Sequence, residues 1–178
     1  MARIPYADQT LPANAVLAER ITEQRGGVLH LYAMLLHSPP VTDGWLSLLT
    51  AIRQKCILPS SIRELVILQV AHLNGASYEA EQHLPIALKN GLSREQVDAL
   101  PDWRNSDLFS PLQRASLNYC DASTRHVHVE PQVFEELRGY FDHRLIVELT
   151  VTIAAYNMVS RVIEALAIES ADSMETEQ

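Results

Sequence analysis

The chain has 178 residues, 47% of them hydrophobic, and a formal net charge of −8. That length suits one domain with a core that needs no disulfide or metal to staple it. With 14 Lys and Arg against 22 Asp and Glu, and no basic run, a nucleic-acid-binding surface is not expected. The punctuation along the chain is helical. Pro12 opens a helix to about Arg25, which Gly26-Gly27 ends. A second helix runs from Val28 to His37 and stops before Pro39-Pro40. Thr42 or Asp43 caps a third, "GWLSLLTAIRQKC". "SSIRELVILQVAHL" follows, and Asn74-Gly75 breaks it as a left-handed cap does. Ser77 caps "YEAEQHLPIALKNG", with a kink or local break expected at Pro85 and a stop at Gly91. "SREQVDAL" carries a capping box and a short helix. "DWRNSDLFS" reads as a loop. "SPLQRASLNYCDAS" and "PQVFEELRGYF" each start with Pro at the first helical position. "HVHVE", residues 126–130, is a linker. A long apolar helix runs from Asp142 to about Ile168.

These elements predict an all-α helical bundle, a single domain over residues 1–169, with a disordered acidic tail over 170–178. The N-terminal stretch "MARIPYADQTLP" has no apolar core of signal-peptide length, and no run of about 18 apolar residues occurs. The two cysteines, Cys56 and Cys120, form no CxxC and suit a reducing compartment. A cytoplasmic protein with neither a membrane span nor a metal site is the expectation. "LVILQVAHL" and "LIVELTVTIAAYNMV" are too apolar for one-sided surface helices. Each is either a central core helix or a helix that also meets another subunit.

Chemistry concentrates in "NGASYEAEQH", residues 74–83. Glu79 and His83 lie four apart, so they share one helix face. A carboxylate beside an imidazole favours the protonated ring, which suits general acid–base work near neutral pH. Glu64 lies on the preceding helix, and a turn at Asn74-Gly75 would fold it back onto the pair. Plainer readings compete at each position. Ser61 to Glu64 is also a capping box, and Glu79 with His83 is also a solvated salt bridge. Tyr32, Trp45 and Tyr156 read first as packed core aromatics and second as pocket walls, and Tyr78 reads first as a packed aromatic and second as a proton donor. His126 and His128 have no third ligand beside them, His72 ends a helix, and neither cysteine has a neighbour marking a reactive thiol.

The stretch "RELVILQVAHLNGASYEAEQHLPIALKNGLS" resembles the carboxymuconolactone decarboxylase family, which shares its fold with the alkylhydroperoxidase-D-like proteins. The resemblance is tight over about residues 60–95. It is looser over "RGGVLHLYAMLLHSPP" and "ELTVTIAAYNMVSRVIEAL". In the alkylhydroperoxidase-D branch the pattern is a Glu, a CxxC twelve residues on, and a His four after the second Cys. Here Glu64 and His83 match the Glu and the His, Ala76 and Glu79 stand at the two cysteine positions, and Tyr78 falls where a His is common. Thiol peroxidase chemistry needs a thiolate and a resolving sulfur. The departure therefore makes that activity the least expected.

The resemblance implies the decarboxylase side: a cofactor-free acid–base enzyme on a small carboxylated or lactone-type substrate. His83 would donate the proton, Glu79 would hold and tune it, and Glu64 would orient it or act as a second acid. Tyr78, and Tyr156 in "AAYNMVS", would be weak substrate contacts. The resemblance further implies a homo-oligomer, a trimer or a trimer-based hexamer. Two alternatives stay open: a helical oligomer that binds a small ligand without catalysis, and a vestigial redox protein using Cys56 or Cys120. The same Glu–His pair could equally serve a hydratase, an isomerase or a lactone hydrolase.

Overall fold

The computed structural model describes residues 1–174. It contains nine α-helices among those residues: α1 (Pro12–Arg25), α2 (His30–Leu35), α3 (Pro39–Thr50), α4 (Ser60–Asn74), α5 (Ser77–Lys89), α6 (Arg94–Asp98), α7 (Pro111–His126), α8 (Pro131–Arg138) and α9 (His143–Leu166). No strand occurs among the described residues, so the fold is all-α. The chain groups into two compact units, one of Met1–Cys56 with the segment from Ile163, the other of Ile57–Val162.

In the first unit α1 and α2 each pack on α3. Pro39 and Pro40, which the sequence marks as the end of α2, are also the first turn of α3. The expected cap at Thr42 or Asp43 is therefore corrected. Proline's fixed φ suits a first turn, where its missing N–H has no intrahelical partner to lose. Thr42 lies inside that turn, buried, and its hydroxyl donates to the Leu35 carbonyl at 2.6 Å. Past Thr50 the helix widens into one π turn, Ala51–Lys55. Within the stretch expected to fray, Asp172 accepts from the Tyr6 hydroxyl at 2.6 Å. Residues 175–178 of that stretch lie outside the described residues.

In the second unit α4 packs on α5 and α7, and α7 on α8. A core of Leu65, Leu68, Ala87, Leu92, Leu100, Trp103, Phe109 and Leu117 fills the space between them. Every residue of α4 from Ile62 to Ala71 is buried, the polar Arg63, Glu64 and Gln69 included, as the helix's largely apolar composition requires. α9 differs from that expectation. Ile146, Leu149, Ile153 and Tyr156 are buried, but Val147 and Val151 face outward. By length and composition alone α9 could cross a membrane, and 56% of its most apolar 18-residue stretch is buried within the protein.

Capping boxes at Ser93–Gln96 and Ser110–Gln113 start α6 and α7 where the sequence places them. Part of the expected loop over "DWRNSDLFS" is instead a 3-10 turn, Leu100–Asn105, because Leu100 and Trp103 insert into the core. Helix α5 continues through Pro85 without the expected break. The carbonyl deprived of a donor there belongs to Glu81, and both residues lie on the solvent side.

One turn sets up everything that follows. Gly75 takes φ 70° and ψ 20°, and its N–H reaches back toward the carbonyls of Ala71 and His72. That left-handed cap ends α4 and reverses the chain into α5. A Cβ at Gly75 would meet nothing within 4 Å. The penalty for a side chain there is thus conformational alone. Gly75→Ala is expected to destabilise the protein by roughly 1–2 kcal/mol, read as a lower urea midpoint with unchanged m-value.

Candidate active site

Three helices of the second unit bring five side chains together. α4 supplies Glu64, α5 supplies Glu79 and His83, and α9 supplies Tyr156 and Ser160. Glu64 is fully buried, Glu79 is 2% exposed and His83 is 6% exposed. Bulk water is therefore excluded from all three ionisable groups.

Imidazole Nδ1 of His83 lies 2.8 Å from Oε2 of Glu64. Nε of Arg63 donates to the other oxygen, Oε1, at 3.1 Å. Burial pushes the Glu64 carboxyl up, but the hydrogen bond and charge of His83 and the Arg63 guanidinium outweigh it, and the net shift is downward. Glu64 is thus an ionised carboxylate that can only accept. Its partner Nδ1 must carry a proton, which leaves Nε2 as the nitrogen that gains or loses one. Helix α4 begins at Ser60 with no side-chain cap. The capping-box reading of Ser61 and Glu64 is therefore excluded: Glu64 points into the core, toward α5.

Glu79 occupies the same face of α5 as His83, one turn earlier. Its Oε2 lies 2.5 Å from the Ser160 hydroxyl. The carboxylate that orients His83 at Nδ1 is thus Glu64, with Glu79 engaging α9. The reading of Glu79 and His83 as a solvated surface pair is excluded by burial. Tyr156 lies edge-on to the imidazole, with ring centroids 5.0 Å apart and planes at 89°. Tyr78 is also buried, but it leaves α5 roughly 100° round from Glu79, away from the shared Glu79–His83 face.

Two participants escape a sequence reading. Arg63 is hidden because a neighbour in sequence usually points elsewhere on a helix. Ser160 lies 81 residues from Glu79. Its only signal is its place one turn after Tyr156 in "AAYNMVS".

The remaining candidates lie apart from this cluster. Trp45 and Tyr32 are buried in the first unit. His126 ends α7, and His128 sits in the linker after it. Among the described residues, no three His, Cys, Asp or Glu side chains group as a metal site requires. Cys120 is fully buried with its thiol directed at the Val66 carbonyl, 3.7 Å away. Burial, with the charge of Asp121, pushes this thiol far above the ordinary cysteine range, against a smaller opposing contribution from Thr124. In the native protein Cys120 is expected to resist a thiol reagent that labels it promptly after unfolding. Rapid native labelling, followed by peptide mapping, would refute that.

The model of the carboxymuconolactone decarboxylase family matches residues 39–122, a span that contains Glu64, Glu79 and His83. Over that span the chain matches the carboxymuconolactone decarboxylase family. Among its relatives is the uncharacterized protein YnjA of Escherichia coli (strain K12), 29% identical over 127 residues, which are 70% of this chain and 66% of that protein. Its fold is alkylhydroperoxidase-D-like. An uncharacterized peroxidase-related protein from Ralstonia eutropha JMP134, described as an alkylhydroperoxidase AhpD core, superposes with a TM-score of 0.81 at 19% identity, covering 96% of this chain and 93% of that one. The debrominase Bmp8, solved as a cysteine-to-alanine variant in complex with 2,3,4-tribromopyrrole, superposes at 0.79 and 19% identity over 96% and 95% of the two chains. At such identities these likenesses establish the fold alone. The matched span has no CxxC pair, since Ala76 and Glu79 occupy those positions.

Proposed function

We propose that this protein is a cofactor-free acid–base enzyme that decarboxylates a small carboxylated lactone or a close relative of one. A single arrangement supports the reading: a buried imidazole bonded at Nδ1 to an ionised carboxylate, with a second carboxyl on the same helix face. The family's CxxC positions hold Ala76 and Glu79, so the thiol route has no nucleophile there.

The chemistry is simple to balance. The C–C bond to the substrate carboxylate breaks, carbon dioxide leaves, and the electron pair delocalises into the lactone carbonyl as a dienolate. His83, protonated at both nitrogens, gives its Nε2 proton to carbon. Glu64 holds the ring by Nδ1 and stabilises the imidazolium before transfer. Exclusion of water strengthens these interactions at the moment charge develops.

The test is direct. The purified protein is incubated with a panel of carboxylated lactones while carbon dioxide and substrate absorbance are followed. Turnover is expected without added metal or organic cofactor. Absence of carbon dioxide from every lactone, with the protein folded, would overturn the decarboxylase reading. Peroxide reduction by a dithiol is expected to stay at the uncatalysed rate.

The functional unit in this proposal is a homo-oligomer, a trimer or a trimer-based hexamer. The outward apolar residues Val147 and Val151 of α9, one turn apart, support burial of that face against another copy. Light scattering at micromolar protein is expected to report such a multiple of 20.0 kDa. A monomer at that concentration would refute it.

A further inference from the structure

Ser160 makes two contacts that its one proton cannot serve together. Its Oγ lies 2.5 Å from Oε2 of Glu79 and 2.9 Å from the backbone carbonyl of Tyr156, four residues back on α9. A carbonyl oxygen only accepts, and so does an ionised carboxylate. With Glu79 ionised, Ser160 would donate to it and would face the Tyr156 carbonyl lone pair to lone pair. With a proton on Glu79 both contacts are filled. Glu79 donates through Oε2–H to Ser160, and Ser160 donates to Tyr156.

The same helix supplies the pattern. Thr150 donates to the carbonyl of Ile146 at 2.7 Å and Thr152 to that of Glu148 at 2.7 Å, each four residues back. With its proton given to Ile146, Thr150 is left to accept from the Tyr119 hydroxyl, 2.9 Å away. Ser160 repeats this arrangement with a carboxyl in place of the phenol. The separation of 2.5 Å marks a strong hydrogen bond and fits either direction of donation, so the two contacts of Ser160 carry the argument. Glu64 already carries a buried negative charge, held by Arg63 and His83. At 2% exposure desolvation disfavours the anion of Glu79, with a cationic His83 on the same face acting the other way.

We infer that Glu79 is a neutral carboxylic acid in the resting protein and that Ser160 is the positioning residue that accepts its proton. For its catalytic meaning the inference rests on the proposed function: Glu79 is then a second acid beside His83, able to hydrogen-bond the oxygen of the developing dienolate. The protonation state itself depends on no reaction.

Infrared difference spectra of the substrate-free, full-length protein at neutral pH test it. Wild type minus Glu79→Gln is expected to reveal the carbonyl stretch of a buried protonated carboxyl. Ser160→Ala is expected to displace that band. Because a glutamine amide donates to Ser160 as the acid does, Glu79→Gln is also expected to melt within a few degrees of wild type. A difference spectrum containing only carboxylate bands would overturn the inference, and a band unmoved in Ser160→Ala would remove Ser160 from it. The carboxyl carbon shift of Glu79, assigned by NMR, supplies the same answer should Ser160→Ala fail to fold. A protonated Glu79 in a protein that releases no carbon dioxide would defeat the decarboxylase reading alone.

Discussion

Replacing His83 with glutamine is expected to slow the proposed decarboxylation by roughly 10²- to 10⁴-fold. Glutamine keeps a polar group of similar reach, and its amide N–H can still donate to Glu64. It cannot exchange a proton near neutral pH. The loss should therefore appear in kcat, with a small change in KM, because binding and the Glu64 contact survive. Alanine at the same position is a poorer probe, since it also strands a buried carboxylate. Cys56→Ser is expected to leave the rate unchanged, because no cysteine stands at a motif position. An unaltered rate in His83→Gln would show that the proton comes from another group. A rate that follows Cys56 instead would revive a thiol mechanism.

Glu64→Ala should cause the largest loss of stability, roughly 3–5 kcal/mol, the range for breaking a buried ion pair from one side. It leaves Arg63 and His83 facing each other in a space from which water is excluded. The pH dependence has a definite sign. Glu64 titrates lower in the folded chain than its ordinary value of 4.5. Its contribution is therefore complete above that value and disappears as pH falls through the depressed folded value. Urea unfolding at a series of pH values should show wild type losing stability on the acid side more steeply than Glu64→Ala. Parallel curves would mean that Glu64 is not ionised in the native state.

Much of this site is written in the spacing of one stretch. The interval from Glu64 to His83, the glycine between them and the four-residue step from Glu79 to His83 carry helix–turn–helix geometry in themselves. A helix has a period of 3.6 residues, and Gly75 can take a positive φ without steric penalty. Pro12, Pro111 and Pro131 mark helix starts for an equally local reason. Other local signals mislead when two readings share one pattern. Ser61 and Glu64 fit a capping box, but a buried imidazole and an arginine offer Glu64 more than a helix terminus does. Pro39 and Pro40 end one helix and begin another, and the sequence displays only the first of those roles.

By itself, then, the amino-acid order determined the helical elements, the α4–α5 reversal and the chemical types present in it. Which carboxyl holds the imidazole, and which finds a serine on α9, was decided by packing. Those partners are 19 and 81 residues apart in the chain. Periodicity governs only neighbours within a turn or two, whereas such distant groups meet through the burial of apolar faces that carry them along.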